Sequence, residues 1–68
     1  MKNKFSERLR DLRLEKELSQ NQLAKNLGLT HTAINLWESN KRVPNLEALI
    51  LIAQYFSVTI DYLAGLEN

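Results

Sequence analysis

Apolar residues recur along this chain with the period of an α-helix, and no segment shows the apolar–polar alternation of a half-buried strand. In the first stretch, Phe5, Leu9 and Leu12 share one helical face at i, i+4 and i+7 spacing. The pattern predicts an all-α fold of five short helices. Their predicted bounds are about Phe5–Lys16, Gln20–Leu27, His31–Ser39, Leu46–Phe56 and a last helix that follows Thr59 and stops at Gly65.

One side of each predicted helix is expected to enter a shared core. The inward residues expected on helices 2 and 3 are Leu23, Ala24, Leu27, Ala33, Ile34 and Trp37. Those expected on helix 4 and beyond it are Leu46, Leu49, Ile50, Ala53, Phe56, Val58, Ile60 and Leu63. The shared core predicts one small domain over residues 1–68.

Capping residues stand at the predicted helix ends. Ser19 and Gln22 have the spacing of a capping box, in which the Ser oxygen accepts the third helical N–H and the Gln side chain reaches back. Thr30 and Asn45 are placed to cap helices 3 and 4. Asn40 tolerates the left-handed conformation and is therefore expected to end helix 3.

Residues 19–38 join two of these helices through a tight turn. Ala24 is small where a neighbouring helix must come close, and Gly28 can take the positive φ that ends helix 2. Ile34 can fold back onto helix 2. This spacing is that of a helix-turn-helix, whose second helix enters the major groove of DNA.

The composition limits the other possibilities. The chain has 68 residues and no Cys, so neither a disulfide nor a Cys-based metal site can stabilise so small a core. No apolar run reaches transmembrane length and no signal peptide is visible, so no membrane association is expected and the cytoplasm is the expected location.

The charge is unevenly distributed. The formal net charge is only +1, but all nine Lys and Arg residues lie within residues 1–44. Residues 45–68 carry three acids (Glu47, Asp61 and Glu67) and no base. This asymmetry predicts an electrostatic footprint for nucleic acid on part of the surface only.

Catalytic motifs are missing from the sequence. There is a single His, and no Gly-rich phosphate loop, HExxH or GxSxG motif is present. The carboxylates resemble a solvated helix surface. We therefore expect a protein that is not an enzyme and that needs no cofactor, metal ion or small-molecule ligand.

The chain resembles the lambdoid phage repressor and Cro-type helix-turn-helix domains, also called XRE-type regulators. The matching segments are RLRDLR, LSQNQLAKNLGLT, AINLWESNKRVP, LEALILIA and VTIDYLAG. The resemblance extends from Phe5 to about Gly65. It implies a five-helix lambda-repressor-like fold, binding of double-stranded operator DNA as a transcriptional regulator, in particular a repressor, and commonly a twofold dimer on a palindrome.

The resemblance also suggests roles for individual residues. Helix 3, over about residues 31–39, would read bases through its exposed side chains His31, Thr32, Asn35 and Leu36. Phosphates would be bound by Gln20, Lys41 and Arg42, with long-range attraction added by Lys2, Lys4 and Arg10. An ion pair between Arg13 and Glu38 would fix the position of helix 3.

The acidic C-terminal third is the expected dimer contact. Outward apolar or aromatic residues there exceed what the core pattern requires, and they are Leu51, Tyr55, Tyr62 and Leu66. They could instead cover core edges within a monomer. A second functional hypothesis is a helical protein-interaction module of antitoxin or anti-repressor type, favoured a little by the outward Leu14 and Leu51.

Overall fold

The structure is a computed structural model that describes residues 4–67. Over this range the chain is all-α, as the sequence predicts, and it contains no strand. The five helices are α1 (Phe5–Glu15), α2 (Gln20–Leu27), α3 (His31–Glu38), α4 (Leu46–Phe56) and α5 (Ile60–Ala64). None of the helices in this range is long and apolar enough to span a bilayer.

Side-chain caps begin four of the helices. The Ser19 hydroxyl accepts the Gln22 N–H at 3.0 Å, and the Gln22 side chain accepts the Ser19 N–H at 2.8 Å, which completes the predicted capping box. The predicted caps Thr30 and Asn45 are also confirmed. Thr59 caps α5 in the same manner. These bonds satisfy N–H groups that have no partner inside the helix.

Each helix ends around one residue in the left-handed conformation. These residues are Glu17, Gly28, Asn40, Ser57 and Gly65, with φ between 56° and 87°. In every case the next residue donates its N–H to the carbonyl five positions back, as Leu29 does to Ala24 at 2.8 Å and Lys41 to Leu36 at 2.9 Å. These closures end α1 and α3 one residue earlier than the sequence predicts, at Glu15 and Glu38.

One side chain from each helix lies at the centre of the core. The largest fully buried side chains are Leu9, Leu23, Ile34, Ile52 and Leu63. At the edge of this centre, Phe5 and Trp37 meet edge to face, with ring centroids 6.2 Å apart. Contacts of α3 with both α1 and α2 hold it against the core and leave one of its faces free.

The prediction for the inward face of α4 was partly wrong. Ala53 and Phe56 are buried as expected, but Leu46 and Ile50 are 67% and 39% exposed, and Ile52 is fully buried. The run LEALILIA is apolar nearly all round the helix, so its periodicity does not select a face. Packing of α4 on α2 and α5 selects the face centred on Ile52.

Candidate nucleic-acid interface

The two faces of α3 differ sharply in exposure. Ile34, Trp37 and Glu38 are buried against the rest of the domain. His31, Thr32 and Asn35 are exposed. Because each residue advances 100° around a helix, Trp37 lies nearly opposite the centre of the exposed set, whereas Glu38 lies at the border of that set. The helix therefore presents a polar surface of hydrogen-bonding side chains from a rigid, packed base.

The predicted base-reading residues are not equally free. Leu36 is half-buried, whereas the other three members of the set are exposed. Its carbonyl accepts the Ser39 hydroxyl at 3.3 Å and the Lys41 N–H at 2.9 Å, so its backbone belongs to the closure of α3. The part of the Leu36 side chain that stays open can offer only an apolar contact.

Behind this surface, Arg13 of α1 binds Glu38 of α3 as the resemblance suggests. Arg13 Nε lies 2.7 Å from Glu38 Oε2 and its Nη2 lies 2.9 Å from Oε1, a bidentate arrangement. Nη1 donates to the Leu18 carbonyl at 2.8 Å. The hydrogen bond to Glu38 raises the pKa of Arg13, against desolvation, with a further contribution from the charge of Glu38.

Gln20, at the start of α2, connects that ion pair to the exposed face of α3. Its Nε2 donates to Glu38 Oε1 at 3.1 Å. Its Oε1 lies 3.0 Å from His31 Nε2 and 3.4 Å from Asn35 Nδ2. Sequence reasoning did not predict this network, because Gln20 is 11 to 18 residues away from its three partners and no local pattern links it to them.

The loop that follows α3 carries the predicted phosphate-binding cations. Lys41 and Arg42 are both exposed. Asn40 is left-handed as predicted, with φ of 60°, and this conformation turns the chain out of α3 immediately before them. Two positive side chains thus lie in the loop just after the helix that carries the polar surface.

The three remaining predicted cations lie in different places. Arg10 borders a shallow polar cleft with Arg13, Gln20 and Asn35, next to the surface of α3. Lys4 is exposed but packs beside Gly65 at the end of α5. Lys2 lies outside the described residues.

The four residues predicted at a dimer contact do not have the same surroundings. Leu51 is half-buried and lines a groove with Leu29 and Ala33. The Tyr55 hydroxyl accepts a hydrogen bond from Asn26 Nδ2 at 3.0 Å. The Arg8 guanidinium lies 4.3 Å from the centre of the Tyr62 ring, as a cation–π contact. Leu66 is the most exposed of the four, at 76%.

The arrangement of α2 and α3 matches a known family. A family model described as helix-turn-helix matches residues 9–63, which is most of the chain. The chain belongs to the XRE-type helix-turn-helix family. The caps at Ser19 and Thr30, the turn at Gly28 and the buried Ile34 all lie within the matched residues.

Named relatives of this family member are transcriptional regulators. It is 52% identical over 64 residues to the HTH-type transcriptional activator BcrR of Enterococcus faecalis, covering 94% of this chain and 31% of BcrR. It is 32% identical over 61 residues to the cryptic phage CTXphi transcriptional repressor RstR of Vibrio cholerae, covering 90% of this chain and 55% of RstR. The chain thus spans about a third to just over half the length of these regulators.

A solved structure has the same fold. The restriction-modification controller protein C.AhdI from Aeromonas hydrophila superimposes with a TM-score of 0.78 at 33% identity. The match covers 88% of this chain and 91% of C.AhdI. The fold is therefore shared over nearly the full length of both chains.

Proposed function

We propose that this chain is the DNA-binding domain of a transcriptional regulator and that it reads double-stranded operator DNA in the major groove with α3. The observation that carries the proposal is the exposed polar surface of His31, Thr32 and Asn35 on a helix whose opposite face is buried. Amide and imidazole groups can form hydrogen bonds with base edges, and an open edge of the Leu36 side chain can pack on a thymine methyl group.

Phosphate contacts on either side of α3 would position the domain. Lys41 and Arg42 lie on the loop that leaves α3, and both are exposed. Gln20 stands at the first position of α2, where backbone N–H groups and the helix dipole favour an anion. One N–H of its Nε2 donates to Glu38, and the other is available for a phosphate oxygen.

A duplex titration across salt concentrations tests this function. Affinity should fall steeply as salt rises, because bound phosphates release counterions. Lys41→Ala or Arg42→Ala should weaken binding to every duplex and flatten the salt slope by roughly one per lost contact. Lys16→Ala is the control for the loss of one cation outside the predicted phosphate-binding set, and Lys16 Nζ lies 5.7 Å from the centre of the Tyr55 ring. Binding that does not respond to salt would contradict DNA recognition and favour the protein-interaction module.

We further propose repression from a palindromic operator by a homodimer, within the cytoplasm. One short helix reads too few base pairs for a specific site, and a twofold pair would place two α3 helices about 34 Å apart, one turn of DNA. The named relatives include an activator and a repressor, so the direction of regulation is tested separately. A reporter with the selected site inside its promoter should fall in expression when the protein is present, and a rise would overturn repression.

The dimer contact is proposed in the acidic C-terminal third, with Leu66 and the open edges of Leu51, Tyr55 and Tyr62. Two further apolar side chains there, Leu46 and Ile50, are also exposed. Sedimentation with operator duplex should give two proteins per duplex. Leu66→Asp should reduce this to one at moderate protein concentration, whereas Leu14→Asp on α1, an equally drastic change of an exposed leucine, should not.

A further inference from the structure

The amide of Gln20 has a defined orientation. The carboxylate of Glu38 can only accept hydrogen bonds, and its two oxygens are already held by Arg13. The Gln20 group that lies 3.1 Å from Glu38 Oε1 must therefore be the NH₂ group. The amide oxygen consequently faces the opposite way, toward the exposed surface of α3.

That orientation dictates the roles of two side chains on α3. The Gln20 oxygen accepts only, so His31 Nε2, 3.0 Å away, must carry a proton. In the neutral imidazole the other nitrogen, Nδ1, is then an acceptor. Asn35 likewise turns its NH₂ group toward the same oxygen, at 3.4 Å, which leaves its carbonyl oxygen on the solvent side.

We propose that Glu38 acts through Gln20 as a positioning residue, so that α3 presents acceptors at His31 Nδ1 and at the Asn35 carbonyl and selects a base with an exocyclic amino group, cytosine or adenine, on the strand that faces His31. This inference rests on the proposed function, because it specifies which bases the exposed surface of α3 reads. The complementary donors are cytosine N4 and adenine N6, whereas guanine N7 and O6 and thymine O4 are acceptors and do not match.

The expectation differs from the one that residue types alone give. An unconstrained His can donate to guanine, and an unconstrained Asn can bind adenine through both of its amide groups. Here the one N–H of the neutral His31 ring is engaged with Gln20 in the free protein, and so is one of the two N–H groups of the Asn35 amide. A guanine at the position facing His31 would require the ring to give up that bond, or it would leave two acceptors opposed.

The tautomer of His31 gives a test on the free protein. His31 is the only histidine of the chain, so labelling histidine with ¹⁵N yields one imidazole that needs no assignment. At alkaline pH, where an imidazole is neutral, the ring should be in the Nε2–H form, with the proton protected from exchange. Gln20→Met should raise the Nδ1–H fraction several-fold and abolish the protection. Gln54→Met, the same change at an exposed position on α4, should leave both unchanged.

A second variant tests the origin of the orientation. Glu38→Gln replaces an obligate acceptor by a group that can donate or accept, so Gln20 is free to turn its amide over. The Nδ1–H fraction of His31 should rise as it does in Gln20→Met. Identical tautomer populations in the parent protein and Gln20→Met would overturn the proposal. A change in Gln20→Met but none in a folded Glu38→Gln protein would overturn the role of Glu38.

Base preference is the second readout. A half-site is first selected from random duplexes, and the base pair facing His31 is located as the one whose preference His31→Ala removes. The parent protein should favour cytosine or adenine over guanine there by about tenfold. Gln20→Met should bind all duplexes more weakly, through the lost phosphate contact, and should also reduce that preference. A parent preference for guanine would overturn the proposal.

The two readouts separate this inference from the proposed function. In one outcome the parent protein shows the Nε2–H tautomer, the Nδ1–H fraction rises in Gln20→Met, and no duplex is preferred. The positioning of His31 by Gln20 is then supported, and DNA reading by α3 is overturned. In the other outcome DNA is read with a strong preference but the tautomer does not respond to Gln20→Met, so DNA reading is supported and the positioning of His31 is overturned.

Discussion

Arg13 and Glu38, 25 residues apart in the chain, form a bidentate ion pair that joins α1 to the last residue of α3. Both side chains are shielded from water, with only 11% and 4% of their surface exposed. The pair brings no obvious gain over an apolar contact of similar volume, since desolvating two charges is costly. The pair has a geometric role, because Glu38 also accepts a hydrogen bond from Gln20 and so connects α1 to the exposed face of α3.

Breaking this pair on one side should be strongly destabilising. Glu38→Gln leaves the guanidinium buried without its counter-charge, and we expect a loss of about 3 kcal/mol in the free energy of unfolding. Replacing both partners, as in Arg13→Met with Glu38→Met, should recover much of that loss because no charge is left buried. Urea unfolding followed by circular dichroism measures both. A double variant as unstable as the single one would show that the charge is not the cause.

The contribution of this pair to stability should not vary with pH in the neutral range. Glu38 raises the pKa of Arg13 in the folded state. A group whose folded pKa is raised contributes stability that is complete below its unfolded pKa and is lost as the pH rises through the folded value. For arginine that window begins above about pH 12. The difference in unfolding free energy between the parent protein and the double variant Arg13→Met with Glu38→Met, which leaves no buried charge, should therefore be constant from about pH 7 to 10, and a steady decline across that range would contradict this assignment.

The fold was more predictable from the sequence than the site. Helix starts follow from local chemistry, which a sequence displays: Ser19, Thr30 and Asn45 act within three residues of their own positions. The face of α4 was not predictable, because an apolar run without a polar side has no periodic signal. The network around Gln20 was also beyond reach, since it depends on how α2 and α3 cross. Of this network, only the ion pair between Arg13 and Glu38 followed from the family resemblance.

Two isoleucines on α4 test which face of this helix packs against the core. Ile52→Ala should cost about 2–5 kcal/mol, because its side chain is fully buried at the centre of the core. Ile50→Ala makes the same chemical change two residues away at a position that is 39% exposed, and it should cost less than about 1 kcal/mol. Thermal and urea unfolding of the two variants compares them. Equal losses would mean that Ile50 also faces the core.

The non-glycine residues in the left-handed conformation predict stabilising changes. Ser57 has a φ of 56° at the end of α4, where only glycine avoids the clash of its Cβ with the backbone. Ser57→Gly should raise the free energy of unfolding by up to about 1 kcal/mol. Ser39→Gly is the control, because Ser39 has a φ of −88° and gains nothing from glycine. The idea fails if both changes have the same sign and size.

The reverse change at Gly28 should be destabilising. Gly28 has a φ of 71°, and a Cβ added there would meet no atom within 4 Å. Gly28→Ala therefore costs only the backbone strain of a left-handed alanine, about 1–2 kcal/mol, with no steric clash. Gly28→Asn, a residue that tolerates this conformation, should cost less than Gly28→Ala. The order of the two variants in urea unfolding checks the explanation, and an equal loss would argue against it.

The cap of α3 should affect DNA binding as well as stability. The Thr30 hydroxyl accepts the Ala33 N–H at 3.1 Å, and Asn45 caps α4 through the Ala48 N–H at 2.8 Å. Thr30→Ala and Asn45→Ala should each cost about 1 kcal/mol in unfolding free energy, because each leaves an N–H group without its partner. Only Thr30→Ala loosens the first turn of α3, which carries His31, so only this variant should lose affinity for a selected operator.

Thr30→Ser keeps the hydroxyl and should restore both stability and binding. Equal loss of affinity in the two alanine variants would show that global stability, and not the order of the first turn of α3, limits recognition.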